Sequence, residues 1–164
     1  MSNFSESDKQ NQIEIYQTQF KKYGMNQKSL FLSNDKQHIR FSIIESIGIK
    51  KNSSILDVGC GFGDLYEYLL SKGLTDINYT GIDIVPEFIC EAKNRFPKTD
   101  FRIIDILNED MAEQFDFVVL SGTLNKKIPG NHEEYVKAMM TRMFELSKVG
   151  VSVDFVSSYG DARY

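Results

Sequence analysis

The chain has 164 residues, of which 41% are hydrophobic and 26% are charged, and its formal net charge is −4. This composition is typical of one globular domain that can bury a hydrophobic core. The acidic balance, with only isolated lysine pairs, argues against a nucleic-acid partner, and no apolar run approaches the roughly 20 residues of a membrane span.

The first part of the chain predicts two amphipathic helices. Residues 1–8 are polar, and we expect them to fray. A first helix is expected from Lys9 to Tyr23, and Gly24 ends it. A second is expected from Asn34 or Asp35 to Ile47, with four residues on one side: Ile39, Ile43, Ile44 and Ile47. Residues 1–34 are therefore predicted to form an N-terminal helical cover.

From residue 54 onward, short apolar runs alternate with helical stretches. The expected strands are 54–58, 79–84, 101–106, 115–120 and 149–156, and helices are expected at 65–73, 86–96 and 133–148. Continuous apolar strands that alternate with helices indicate a doubly wound α/β domain with a mostly parallel sheet. Right-handed crossovers then predict the strand order 3-2-1-4-5 in a Rossmann-like core, residues 35–158, of a single domain spanning 1–164.

A glycine-rich turn directly follows the first predicted strand. Gly59, Gly61 and Gly63 have the spacing G-x-G-x-G, whereas a dinucleotide fingerprint is G-x-G-x-x-G. Asp57 precedes the turn and Asp64 follows it, so a pyrophosphate would be repelled there and a nicotinamide oxidoreductase is disfavoured. The same charges suit a ligand with an ammonium group and a sulfonium cation, such as S-adenosylmethionine.

Two further aspartates are predicted at the ends of the second and third strands. Asp83 lies 20 residues after Gly63, which is the distance at which an acidic side chain reaches ribose hydroxyls in nucleotide-binding units. Asp105 is expected to close the third strand and can accept a hydrogen bond from an adenine amino group. The carboxyl ends of parallel strands meet at one edge, so these carboxylates should line one crevice.

Three segments in order resemble the motifs of class I S-adenosylmethionine-dependent methyltransferases. Residues 55–63 resemble the first motif, and residues 81–84 and 102–106 resemble the motifs of the second and third strands. The resemblance implies S-adenosylmethionine as cofactor and S-adenosylhomocysteine as product. The glycine segment would hold the methionine part, Asp83 the ribose and Asp105 the adenine. The predicted cofactor-binding residues are Asp57, Gly59, Cys60, Gly61, Gly63, Asp83, Ile84, Asp105, Ile106 and Ser121.

The loop after the fourth strand, residues 121–125, is where the methyl group and its acceptor should meet. It lacks the Asn/Asp-Pro-Pro-Tyr tetrapeptide of the resembling nucleic-acid amino-methyltransferases. This absence favours an oxygen or nitrogen atom of a small molecule as acceptor. His132 is the candidate for a catalytic base, and the alternative is that it belongs to the first turn of a helix.

Other polar and aromatic side chains have two interpretations each. Arg40 could reach the cofactor carboxylate or form a structural ion pair. Tyr16, Phe20 and Tyr23 could cover the sulfonium by cation–π attraction or could simply pack. Cys60 and Cys90 lack metal-ligand spacing and no secretory signal precedes them, which predicts reduced thiols, no metal and a cytoplasmic location.

The resembling family adds two strands after the fifth, and only residues 157–164 follow the fifth predicted strand. We therefore expect a fold that lacks the usual last two strands and leaves an exposed sheet edge. Such an edge favours a homodimer or another protein partner. The alternative function is a non-catalytic module that binds S-adenosylmethionine, or a fragment of a larger assembly.

Overall fold

The computed structural model describes residues 5–31, 34–125, 128 and 131–155. The helices are α1 Glu6–Tyr23, α2 Asn34–Ser46, α3 Asp64–Ser71, α4 Pro86–Arg95 and α5 His132–Leu146. The strands are β1 Ser54–Val58, β2 Asn78–Asp83, β3 Asp100–Ile103, β4 Phe115–Leu120 and β5 Ser147–Val153. Two short 3₁₀ helices span Gln27–Leu30 and Thr123–Asn125.

The five strands form one parallel sheet in the order β3-β2-β1-β4-β5, which confirms the predicted fold. One face carries Ile55 of β1 and Phe117 of β4, and α2, α3 and α4 cover it. The opposite face carries Leu56 and Val118, and α5 covers it. Among the described residues, no helix combines the length and the hydrophobicity that crossing a bilayer requires.

Helix α1 begins earlier than the sequence predicts. The Ser5 hydroxyl accepts a hydrogen bond from the Asp8 amide (3.2 Å), and the Asp8 carboxylate accepts one from the Ser5 amide (3.1 Å). This capping box satisfies amides that the first helical turn leaves without partners. The predicted fraying was therefore wrong for residues 5–8, and residues 1–4 lie outside the described part.

Helix α2 presents only part of the predicted face to the core. Ile39 and Ile43 are 60% and 59% exposed, whereas Phe41 and Ile44 are buried. The Phe41 ring packs against the Tyr68 ring at a centroid distance of 5.6 Å. Burial of the large aromatic ring sets the rotation of the helix, so Ile44 and Ile47 of the predicted stripe pack on the core while the other two isoleucines face solvent.

Strand β3 ends at Ile103, before the predicted end at residue 106. Asp105 consequently lies in the turn that follows, where its carboxylate accepts hydrogen bonds from the Leu107 amide (3.0 Å) and the Asn108 side chain (2.8 Å). A short polar side chain that bonds to its own backbone in this way favours a turn over a continuing strand.

Strand β5 lies at the edge of the sheet and pairs with β4 alone among the described residues. Val151 and Val153 pack against the α5 side of the core, but Val149 is 67% exposed. An open strand edge with an exposed apolar side chain can template pairing with another chain. Association of two copies through this edge stays a prediction.

Gly81 in β2 lies where a side chain has no room. A Cβ atom there would lie 2.6 Å from the Phe101 ring and 2.9 Å from the Cys60 sulfur. We predict that Gly81→Ala lowers the free energy of unfolding by about 1–3 kcal/mol through overpacking. Urea denaturation measures the change. Gly150→Ala is the matched control, because its Cβ would lie 3.9 Å from Phe117, and equal destabilisation by both variants would contradict the prediction.

Candidate functional site

A cavity opens at the carboxyl ends of the central strands. The turns after β1, β2 and β4 form its floor, and α1, α2 and the 3₁₀ helix Gln27–Leu30 contribute the roof. Nine of the ten predicted binding residues line it: Asp57, Gly59, Cys60, Gly61, Asp83, Ile84, Asp105, Ile106 and Ser121. The structure therefore brings together residues that span more than 60 positions of the sequence.

Backbone hydrogen bonds fasten the glycine turn to the end of β2. The amides of Gly59 and Cys60 donate to the Ile82 carbonyl at 2.8 and 3.0 Å. Gly59 has a φ of +72°, and a Cβ atom there would lie 2.1 Å from the Thr123 hydroxyl oxygen. Only glycine permits both the left-handed backbone and this close approach.

Gly63 does not line the cavity, although the sequence predicted that it would. Its φ is +79°, and a Cβ atom there would lie 3.0 Å from Phe101 and 3.2 Å from Phe96. The third glycine of the turn therefore serves the packing of α3 against the neighbouring strand. The spacing of the motif could not separate this role from ligand contact.

Asp83 closes β2 and connects three segments of the site. One carboxylate oxygen accepts a hydrogen bond from the Gly61 amide (3.0 Å), and the other accepts one from the Val85 amide (3.0 Å). Burial raises the pKa of Asp83 to about 6, although these backbone hydrogen bonds favour the ionised form and oppose the shift. Asp83 thus shapes the turn in addition to lining the cavity.

Asp57 is only 3% exposed, and its carboxylate accepts a hydrogen bond from the Tyr79 hydroxyl. Burial raises the pKa of Asp57 to about 7, with smaller contributions of the same sign from Asp83 and Asp64. The hydrogen bond from Tyr79 acts in the opposite direction. Tyr79 was not predicted as a site residue, because nothing in the sequence distinguishes a tyrosine of an apolar strand from an ordinary core residue.

Asp64 differs from Asp57 because a cation neutralises it. The Arg95 guanidinium lies 2.6 Å from the Asp64 carboxylate and also donates to the Phe62 carbonyl at 2.6 Å. Gln27 donates a further hydrogen bond to Asp64. The spacing alone made Asp57 and Asp64 equal negative charges, whereas among the described residues the carboxylates near the turn without a cationic partner are Asp57 and Asp83.

Arg40 and Asp154 form an ion pair beside the loop that follows β4. The Arg40 Nε atom lies 3.3 Å from an Asp154 oxygen, and Asp154 also accepts hydrogen bonds from the Ser121 hydroxyl and the Gly122 amide, both at 2.7 Å. The Arg40 Nη2 atom is buried and has no hydrogen-bond partner among the described residues. Asp154 was missed because β5 ends before it and the sequence predicted a longer strand.

Asp105 lines the cavity beneath α1. It is 5% exposed, and the Lys9 ammonium of α1 lies 3.5 Å from one of its oxygens. Gln12, one turn further along α1, is buried and lines the same cavity. Lys9 and Gln12 were not predicted, because the position of α1 over the sheet edge is a tertiary feature.

His132 does not line the cavity. It is the first residue of α5, and its Nδ1 atom accepts a long hydrogen bond from the Ile128 amide (3.4 Å). Of the predicted aromatic stripe, Tyr16 lines the cavity, while Phe20 packs on Phe62 and Phe88. Tyr23 is 37% exposed, so the stripe serves mainly to dock α1 on the core.

Comparisons with known proteins identify related sequences. A family model described as a methyltransferase domain matches residues 49–159. A Mycobacterium tuberculosis protein named as a methyltransferase is 33% identical over 115 residues, covering 66% of this chain and 66% of that protein. The malonyl-[acyl-carrier protein] O-methyltransferase of Acetivibrio thermocellus is 34% identical over 104 residues, covering 56% of this chain and 36% of that enzyme.

Two ribosomal RNA methyltransferases also match. The enzyme of Brachyspira hyodysenteriae is 28% identical, covering 61% of this chain and 52% of that enzyme. The enzyme of Borreliella afzelii is 27% identical, covering 71% of this chain and 35% of that enzyme. The chain thus spans only part of the length of these relatives, no more than 66% of each.

Solved structures share the fold. The N-methyltransferase NodS of Bradyrhizobium japonicum, in complex with S-adenosylhomocysteine, superposes with a TM-score of 0.63 at 20% identity, covering 82% of this chain and 68% of that chain. The plantazolicin methyltransferase BpumL, in complex with S-adenosylhomocysteine, gives a TM-score of 0.59 at 20% identity, covering 97% of this chain and 68% of that chain.

The raised pKa values of Asp57 and Asp83, about 7 and about 6, make the stability of the ligand-free chain depend on pH. In the unfolded chain, an aspartate loses its proton near pH 3.9. The folded chain therefore binds more protons between about pH 4 and pH 7, and burial of these groups destabilises the fold progressively as the pH rises through that window.

We predict that Asp57→Asn stabilises the ligand-free chain more at about pH 8 than at about pH 5, because the variant removes one buried group that must ionise. Urea denaturation at both pH values measures the difference in the free energy of unfolding. Asp110→Asn, at an exposed aspartate, is the matched control. A stability difference between Asp57→Asn and the natural chain that is the same at both pH values would contradict the prediction.

Proposed function

Because this chain belongs to the class I S-adenosylmethionine-dependent methyltransferase family, we propose that it binds S-adenosylmethionine in the cavity at the carboxyl ends of β1, β2 and β4. We propose further that it transfers the methyl group to an oxygen or nitrogen atom of a small molecule. The observation that carries the proposal is a pair of carboxylates, the buried Asp57 and the half-buried Asp83, beside a glycine turn in one cavity.

The lining residues fit the charges of this cofactor. Asp57 has no cation paired with it among the described residues, and an ammonium or sulfonium group would compensate its buried charge. The buried Nη2 atom of Arg40 lacks a partner in the described part of the chain, and a carboxylate would satisfy it. The cofactor carries both kinds of group on its methionine part.

Asp83 keeps acceptor capacity for ribose hydroxyls. A carboxylate has about four acceptor positions, and the amides of Gly61 and Val85 occupy two of them. Asp105 is more heavily engaged, with Leu107, Asn108 and Lys9 around it, so an adenine amino group would share its oxygens with these donors. We therefore expect Asp83 to contribute more to affinity than Asp105.

S-adenosylmethionine, when bound, supplies an electrophilic methyl group that leaves the sulfonium in a single displacement and yields S-adenosylhomocysteine. The chain would position the cofactor and the acceptor and would exclude water from the cavity. Arg40 and the glycine turn would orient the methionine part, and the roof of α1, with Tyr16 and Gln12, would shield it. Ser121 lies at the acceptor side, where Asp154 holds its hydroxyl.

Charge favours a small-molecule acceptor over RNA. The acidic and basic side chains of the described lining are four aspartates and one arginine: Asp57, Asp64, Asp83, Asp105 and Arg40. An RNA backbone is a polyanion that needs basic side chains along its path, and this chain carries a net charge of −4. The relatives that act on ribosomal RNA make RNA the second candidate acceptor.

We predict that Arg40→Gln weakens the binding of S-adenosylhomocysteine by about 10- to 100-fold, because a buried charge-assisted hydrogen bond to the carboxylate is lost. Calorimetry measures the Kd. 5′-Methylthioadenosine, which lacks the carboxylate, is the internal control, and its Kd should stay within about twofold. An equal loss for both ligands would mean that Arg40 only supports the fold through Asp154.

The acceptor class is tested with S-adenosylmethionine that carries a radiolabelled methyl group and with a cell extract. We predict that label enters the small-molecule fraction and that ribonuclease treatment of the extract leaves the incorporation unchanged. Label in ribosomal RNA would select the second candidate. Cofactor binding by calorimetry without label transfer to any fraction would indicate a non-catalytic binding module, and absence of binding would refute the cofactor assignment.

A further inference from the structure

We propose that Tyr79 is a positioning residue of the cofactor site, whose hydroxyl holds the Asp57 carboxylate in the orientation and the charge state that a cationic ligand requires. Tyr79 does not line the cavity, so it would act through Asp57 and would not touch the ligand. The identity of the ligand rests on the proposed function, but the contact between Tyr79 and Asp57 does not.

The sheet register places the two side chains together. Tyr79 of β2 pairs with Ile55 of β1, and Asp57 lies two residues further along β1 on the same face. The Tyr79 hydroxyl donates a hydrogen bond to Asp57. The Tyr79 ring is fixed by the Tyr66 ring at a centroid distance of 4.7 Å and by the Phe101 ring at 5.9 Å. The donor is therefore held in place by packing before any ligand binds.

The chemistry of the donor distinguishes Asp57 from Asp64. Arg95 neutralises Asp64 at 2.6 Å, so little of that charge remains for a ligand. A tyrosine hydroxyl orients Asp57 without adding a positive charge, so no cation among these partners cancels the charge of the ionised carboxylate. Burial raises the pKa of Tyr79 well above its ordinary value, so the hydroxyl remains a donor throughout the neutral range.

The surroundings of Asp57 make the hydroxyl important for its charge. Burial raises the pKa of Asp57 to about 7, and the hydrogen bond from Tyr79 opposes that rise. Several titratable or charged groups of the described residues face Asp57 or share its cavity: Tyr79 and Asp83 of β2, Cys60 of the turn, Asp64 of α3, Arg40 of α2, Tyr16 of α1, Asp105 after β3 and Tyr135 of α5. Removal of the hydroxyl should therefore leave Asp57 protonated at neutral pH.

The direct test follows Asp57 in the ligand-free chain by carbon-13 NMR of its carboxyl group. In Tyr79→Phe, we expect the midpoint of the Asp57 titration to rise by about one pH unit or more. Tyr68→Phe is the matched control, because its hydroxyl donates to Glu45 and lies outside the cavity lining. An unchanged Asp57 midpoint in folded Tyr79→Phe would overturn the proposal.

The second test measures the Kd of S-adenosylmethionine between about pH 6 and pH 9. Dividing the Kd of Tyr79→Phe by that of the natural chain cancels titration of the ligand itself. We expect a ratio of about five or more at pH 7, since one pH unit is a tenfold change in protonation, and a ratio that falls toward one at pH 9. A ratio independent of pH would indicate a merely structural role and would overturn the proposal.

A double variant separates the two residues. In the Asp57→Asn background there is no carboxylate to ionise, so adding Tyr79→Phe should produce no further pH dependence of the Kd. Persistence of the pH dependence there would assign it to another group and contradict the role of Tyr79. If neither the natural chain nor Tyr79→Phe binds S-adenosylmethionine, the proposed function fails. The titration of the Asp57 carboxyl group in the ligand-free chain still decides whether Tyr79 controls Asp57.

Discussion

The hydrogen bonds from the Gly61 and Val85 amides to the Asp83 carboxylate, each 3.0 Å long, hold the site together. They join the turn after β1 to the segment after β2, at the point where the order of the sheet places β1 between β2 and β4. The helix after β1, α3, and the helix after β4, α5, cover opposite faces of the sheet, so a crevice opens between the ends of β1 and β4, next to this link. The glycine turn, the start of α4 and the cavity floor all depend on this link.

A second constraint is the cost of burying carboxylates. The three aspartates around the turn have three different kinds of partner, and these partners determine where negative charge remains. An arginine neutralises Asp64, a tyrosine hydroxyl orients Asp57, and backbone amides hold Asp83. Burial raises the pKa of Asp57 and Asp83 despite these hydrogen bonds. Ionisation of these two aspartates is therefore unfavourable in the ligand-free site, and a nearby cationic group would make it less so, a pattern common at functional sites.

The features that could be predicted from the sequence are those that depend on residues close together along the chain. The glycine turn and the aspartate that closes β2 were identified because a parallel strand, its turn and the next helix are continuous in sequence. The features that could not be predicted are those, such as the rotation of a helix or the end of a strand, that depend on packing against residues distant in sequence. Phe41, and not Ile39, faces the core. Gly63 packs on Phe101 and does not line the cavity.

The sequence by itself determined the strand order, the family and the crevice, because periodicity and glycine spacing are local consequences of backbone geometry. Only the tertiary structure decided which partner each charged group meets. Arg40 lies 114 residues from Asp154, and Asp57 lies 22 residues from Tyr79, yet each pair is in contact. Such contacts arise from the register of the sheet and from helices that cross the strand ends. Neither can be predicted from the identity of a single residue.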